Sequence, residues 1–292
     1  MGAVIAIMNR KGGVGKTTTT VALADTIVSE FKRSVVVIDL DPQASASLAL
    51  AKHRKVEDRT ESGENLVGLL RAWISTPGVD PAPFTIGSVN RIKHQAQTAL
   101  ALLASSDHLW DLEDEHSGQH TALHRAMVGV IEALRGRFDY VIVDSPPGRS
   151  ITSEAALREA DLVLCPTVAD RLSAWGLDSF AGYLRRRAPE GWSRARFLVT
   201  RYRERLTEHK TTLNSLAQRT QEQIALLRGE AKGAAPPPLT IREDKRFVER
   251  LDSDKIRTLQ GFYGQKAARD LVAVANAIQR ELETDAQQVH SA

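Results

Sequence analysis

The sequence predicts an α/β fold, a mainly parallel twisted sheet with helices on both faces. Three observations carry this reading. Short apolar runs rich in β-branched residues recur at 3–8, 34–39, 99–104, 140–144, 162–165 and 197–200, the pattern of strands buried on both faces. Helical patterns fill the intervals at 17–31, 121–134, 151–159 and 173–187, and strand–helix alternation builds βαβ units. A glycine-rich loop separates the first strand from the first helix.

Taken in order, AVIAIM (3–8) is a buried strand. The helix after it places Val21, Leu23, Ala24, Ile27 and Val28 on one face. SVVVID (34–39) is a second buried strand. Residues 53–65 are polar and charged, an exposed loop or a frayed helix. Further on come the strands YVIVD (140–144), LVLC (162–165) and FLVT (197–200). GEAKGAAPPP (229–238) reads as a flexible connection ending in a stiff proline stretch. ETDAQQVHSA (283–292) reads as a disordered, solvated tail. The expectation is one domain over 1–282 followed by that tail.

Composition narrows the function classes. With 292 residues, 42% hydrophobic and 26% charged, the chain is an ordinary globular protein rather than a disordered or fibrous one. The one cysteine, Cys165, excludes an intramolecular disulfide or an all-cysteine metal site within one chain. No apolar run reaches the roughly 18 residues of a membrane span, and the N-terminal apolar run is too short for a signal peptide. A cytoplasmic protein is expected. Net charge is only +3, but residues 181–260 hold 18 Lys and Arg against 10 Asp and Glu. That asymmetry fits either a polyanion-binding surface or a solvated charged face.

The segment KGGVGKTT (11–18) carries the chemistry. It matches the phosphate-loop pattern G-x-x-x-x-G-K-[ST] except that Arg10 holds the first glycine position. Gly12, Gly13, Val14 and Gly15 let backbone N–H groups turn inward around phosphate oxygens, and the next helix adds its positive N-terminal end. Lys16 is placed to reach the β- and γ-phosphates and Thr17 to ligate Mg²⁺, with Thr18 completing the loop. A strand before and a helix after satisfy the context this motif needs.

Two strand ends supply carboxylates. Asp39 and Asp41 follow the second strand with spacing that sets both on one side of an extended chain, at the carboxyl end where open α/β sheets hold ligands. Asp144 ends the YVIVD strand, where a carboxylate holds Mg²⁺, and Pro146-Pro147-Gly148 then makes a stiff turn suited to a switch loop. No Asn-Lys-x-Asp guanine-reading motif occurs, so ATP is expected rather than GTP.

The segment MNRKGGVGKTTTTVALA resembles the deviant Walker A loop of the ParA/MinD group of P-loop ATPases, and this P-loop NTPase resemblance extends over residues 1 to about 282. It implies that Lys11 is the signature lysine, reaching across an ATP-dependent homodimer to the partner's nucleotide. It also implies that Asp41, in Asp-x-Asp-Pro-Gln, orients the attacking water, with Asp39 supporting near Mg²⁺. ATP and Mg²⁺ are the implied cofactors, and Lys11, Lys16 and Asp41 the catalytic residues.

Within that group the chain is most similar to the DNA-partition branch. A cysteine-held cluster is excluded, and residues 283–292 have no apolar face for a membrane. The first strand begins near Ala3, so a preceding helix-turn-helix is not expected. The resemblance implies non-specific DNA binding by the ATP-bound dimer on the nucleoid. It also implies release after hydrolysis stimulated by a partner protein of centromere-binding or adaptor type. The cargo would be a plasmid, genetic element, chromosome origin or other assembly. Arg201, Arg203, Arg205, Arg242, Lys245 and Arg246 are the candidate DNA contacts, since phosphates need only positive charge within reach. Arg242 and Arg250 could equally pair with Glu243 or Glu249. The alternative is an ATP-dependent switch acting on a protein assembly or membrane.

Overall fold

Strands β1 (Ala3–Ile7), β2 (Val35–Asp39), β3 (Leu100–Leu103), β4 (Tyr140–Asp144), β5 (Leu162–Val168), β6 (Ala195–Tyr202) and β7 (Leu239–Arg242) form one sheet in the order β3-β2-β4-β1-β5-β6-β7. Every strand pair is parallel. The computed structural model describes residues 1–87, 89, 99–118, 120–187, 195–228, 238–251 and 257–291. The helices among them are α1 (Lys16–Thr26), α2 (Ser45–Leu50), α3 (His53–Glu61), α4 (Leu66–Ser75), α5 (His108–Glu115), α6 (His120–Arg135), α7 (Ile151–Glu159), α8 (Arg171–Arg187), α9 (Thr207–Arg228), α10 (Arg246–Leu251) and α11 (Leu259–Ser291).

Strand side chains alternate between two covered faces. Ile5, Ile7, Val35, Val37 and Ile142 pack with α1 and α11. Val4, Val36, Ile38, Val141 and Val143 pack against α4, α6 and α7. A third cluster joins β5 and β6 to α8 through Val163, Cys165, Phe197, Val199 and Phe180. Each fully buried Val or Ile contributes about 1.5–3 kcal/mol, so continuous apolar strands are what a sheet covered on both sides requires. β1 lies between β4 and β5 while the chain runs on to β2 beyond β4, and this reversal opens a crevice at the carboxyl ends.

Several elements differ from the sequence expectation. The first helix is α-helical only to Thr26 and continues as a π-helical turn, Ile27–Phe31, closed by Lys32 at φ 55°. The polar stretch 53–65 contains the helix α3 and Asn65, whose side chain caps α4 by accepting from the Gly68 amide. Over 283–291, within the expected tail, α11 continues as helix through Ser291. Gln279 bonds Glu283, and the Thr284 hydroxyl bonds Arg280 O, carrying the helix across the boundary. Of the connection expected at 229–238, residues 229–237 lie outside the described residues.

Candidate functional site

The loop between β1 and α1 bends where its sequence allows it. Gly13 (φ 72°) and Gly15 (φ 88°) occupy the left-handed region, which costs an L-residue about 1–2 kcal/mol. Gly15 is the N-cap of α1 and offers no side-chain cap, so the helix presents amides and partial positive charge into the loop. The loop is fastened to β5 and β6. Asn9 Nδ2 donates to Pro166 O at 2.7 Å, and Thr200 Oγ1 lies 2.8 Å from Val14 O and 3.1 Å from Thr167 O.

Lys16 begins α1 and is only 7% exposed. Burial holds its ammonium below the usual lysine range, opposed by the charges of Asp144 and Asp41. Its Nζ donates to Lys11 O at 3.4 Å, which points the cation into the turn of the loop.

Asp144 lies beneath that turn, fully buried. Thr17 Oγ1 donates to its Oδ2 and Thr20 Oγ1 to its Oδ1, both at 2.8 Å. The β2–β4 register sets Asp39 directly beside it. Burial first, then the Asp39 charge, pushes the Asp144 carboxyl up to about 7. Among the described residues no group of three or more His, Cys, Asp and Glu forms a metal cage. Thr17 and Asp144 nevertheless bring hard oxygens together, the small donor set that suits Mg²⁺ when waters and phosphates complete its shell. These two residues fit the ion.

Asp39 lies beside Asp144 and is held by the turn that follows its own strand. Its Oδ1 accepts from the Asp41 amide at 3.0 Å, and its Oδ2 from Ser47 N and Oγ at 2.8 Å each. Burial pushes Asp39 up to about 6 against these hydrogen bonds. These bonds fix the β2–α2 turn that carries Asp41, as the bonds from Thr17 and Thr20 fix Asp144. Asp41 itself is half-buried and accepts from Gln43 N at 3.0 Å.

Lys11 folds back within its own chain, 3.3 Å from Asp170 Oδ2 and donating to Ser173 Oγ at 3.0 Å. The family model described as AAA domain matches residues 2–189. The chain belongs to this AAA-domain family.

Relatives of the AAA-domain protein include the sporulation initiation inhibitor protein Soj of Bacillus subtilis, 29% identical over 190 residues, covering 63% of this chain and 66% of Soj. The chromosome partitioning protein ParA of Caulobacter vibrioides is 32% identical over 176 residues, covering 60% of this chain and 59% of ParA. The chain therefore aligns with less than two thirds of each relative's length, 66% of Soj and 59% of ParA. A solved structure from Borrelia burgdorferi, of a protein assigned to plasmid partition and bound to AMPPNP, superposes with a TM-score of 0.68 at 21% identity. It covers 98% of this chain and all of that one. The fold is that of the ParA-type P-loop NTPases.

Several of the expected DNA residues of this AAA-domain protein are paired with carboxylates. Arg201, Arg203, Arg242 and Lys245 line a cavity of about 440 Å³ against Gly15, Thr18 and Thr19. Arg203 pairs with Glu243, and Arg242 grips Asp270 through two bonds of 2.8 and 2.7 Å. Arg246 bonds Asp244 at 3.1 Å, and Lys245 lies 3.8 Å from Glu249. Arg201, Arg203, Arg205 and Lys245 are exposed. Of the alternative pairings, Arg242 chooses Asp270 rather than Glu243, and Arg250 turns inward to Asp25 rather than Glu249.

Sequence reasoning missed Thr20, Ser47, Asp170, Ser173 and Thr200. Asp170 carried a usable signal: like Asp39 and Asp144 it stands at the carboxyl end of an apolar strand. Thr20 and Ser47 could not be told from other hydroxyls without the β2–β4 register.

Proposed function

We propose that this chain is a Mg²⁺-dependent ParA-like ATPase that dimerises around ATP and acts in segregating or positioning a genetic element or other cargo. One observation carries the reading: Thr17 and Thr20, on the first turns of α1, converge on buried Asp144 beneath a loop turned by Gly13 and Gly15. Loop amides and Lys16 bind the ATP phosphates. Thr17 and Asp144 would hold Mg²⁺, which would supply charge neutralisation to the phosphates. Asp41, steadied by Asp39, orients the water that attacks the γ-phosphorus as the bond to the ADP oxygen breaks. Lys11 completes the partner's site, in the manner of an arginine finger.

A cavity beside Gly15, with Phe247 and Val248 as apolar lining, opens next to the loop. DNA binding by the dimer is non-specific, contacting phosphates through Arg201, Arg205 and Lys245, with hydrolysis stimulated by a centromere-binding or adaptor protein. Cytoplasmic, nucleoid-associated when ATP-bound, is the matching location. No helix among the described residues is long and apolar enough to cross a membrane.

The ion pairs at Arg203, Arg242 and Arg246 favour a second reading, in which the dimer engages a protein assembly. Binding of a non-specific duplex with ATP, with ADP and without nucleotide, at two salt concentrations, separates the two. ATP-only binding that falls steeply with salt supports the partition cycle. Absence of binding in every state moves the reading to a protein target.

A further inference from the structure

The lysine assigned to the partner's nucleotide is held in its own chain by groups that the activity described so far does not use. Lys11 Nζ lies 3.4 and 3.3 Å from the two Asp170 oxygens and 3.0 Å from Ser173 Oγ. Ser173 is buried, and its amide donates to Asp170 Oδ1 at 2.5 Å. The two acceptors are thereby fixed relative to each other. The loop backbone is laid along the same edge: Asn9 accepts from the Lys11 amide at 3.0 Å while donating to Pro166 O at 2.7 Å. Bonds to Ser173 and Lys11 hold the Asp170 carboxyl below its ordinary range despite partial burial, so it is an anion at neutral pH.

Charge explains why such a residue is needed. Arg10, Lys11 and Lys16 crowd one short loop at the positive end of α1. Before phosphates arrive, a nearby carboxylate gives one of these cations a place to rest. The pair is half open, with side-chain exposures of 38% and 44%, so it is weak and exchangeable. A triphosphate offers more charge and stronger charge-assisted bonds than one carboxylate.

We propose that Asp170, with Ser173, is the positioning residue for Lys11. It parks the ammonium in cis and releases it to the partner's phosphates when two ATP-bound chains meet. The proposal rests on the ATP-dimer reading above. An exposed ion pair amounts to roughly 1.4–5-fold in an equilibrium constant. Two lysines leave their carboxylates per dimer, so the effect is squared, to roughly 2–25-fold.

The test measures the dimer dissociation constant of the full chain with AMPPNP and Mg²⁺ by sedimentation, for wild type, Asp170→Asn and Asp170→Glu. The same variants with ADP are treated with an amine-acetylating reagent, and modification of Lys11 is read by peptide mass. Asp170→Asn is expected to tighten the dimer by roughly 2–25-fold and to accelerate Lys11 acetylation, with its thermal midpoint unmoved. Asp170→Glu is expected to restore both readouts toward wild type. Equal acetylation in wild type and Asp170→Asn overturns the cis contact. Faster acetylation with an unchanged or weaker dimer overturns the parking role. A wild-type chain that stays monomeric with AMPPNP overturns the dimer reading and the release step, while acetylation still decides whether Asp170 holds Lys11.

Discussion

Asp25 and Arg250 form an ion pair in which neither side chain has any exposed surface. Arg250 Nε and Nη2 reach the two Asp25 oxygens at 2.8 and 3.1 Å, and Tyr263 OH donates to Asp25 Oδ2 at 2.7 Å. The guanidinium also lies 4.7 Å from the Phe262 ring centroid. The pair ties α1, which carries the phosphate loop, to α10 and α11 behind it.

Removing one partner of such a pair leaves a charge without compensation, at about 3–5 kcal/mol. Arg250→Met should therefore lower the denaturation midpoint sharply. Replacing the whole constellation (Asp25→Leu, Arg250→Met and Tyr263→Phe together) should recover most of that loss, because apolar packing of similar volume avoids the desolvation penalty. Chemical denaturation of the three proteins checks this. A triple variant no better than Arg250→Met would mean the charges are not the issue.

Gly15 tests backbone conformation apart from space. A Cβ there would meet Thr200 only at 3.6 Å, ordinary contact, but φ is 88°. Gly15→Ala should cost about 1–2 kcal/mol in stability and turn the first amides of α1 away from the loop. ATP affinity is expected to fall further than stability, measured by calorimetry beside a melting curve.

Asp144→Asn should divide stability from function. Asp144 and Asp39 are adjacent, buried carboxyls, each pushed above its ordinary range, so ionising both in the folded chain is costly. Removing one charge should stabilise the nucleotide-free protein by about 0.5–2 kcal/mol, the range typical where function holds a strained arrangement. Mg²⁺-dependent nucleotide affinity should be lost. A less stable Asp144→Asn protein would show that the Thr17 and Thr20 bonds outweigh the repulsion.

The basic residues separate by their partners. Arg205→Glu should weaken DNA binding and reduce the salt slope by about one, without destabilising the fold. Arg242→Glu should instead destabilise the protein, since it sets a carboxylate against Asp270, with which Arg242 now pairs. Salt titrations of duplex binding beside thermal melts distinguish these outcomes.

Strands β1 to β6, the loop and the acidic ends of β2 and β4 were legible in the sequence because each rests on local pattern: apolar runs, glycines before Lys16, a carboxylate after Ile38 or Val143; the short edge strand β7 was not. What was not legible depends on partners distant in the chain. Arg250 reads as a surface charge until Asp25, 225 residues away, is seen beside it. Arg242 reads as a surface charge until Asp270 arrives from α11. Asp39 reads as a carboxylate near Mg²⁺, and its bonds to Ser47 and the Asp41 amide appear only in the fold. Residues 283–291 read as a solvated tail because they are polar and terminal, which does not prevent a helix from continuing.

Binding of ATP in the presence and absence of Mg²⁺, to wild type and Lys16→Ala by calorimetry, tests the central claim most directly. Tight, Mg²⁺-dependent binding by wild type that disappears in a folded Lys16→Ala protein is the predicted result. Wild type without ATP affinity, or a Lys16→Ala protein that keeps it, would contradict the assignment of this loop as the nucleotide site.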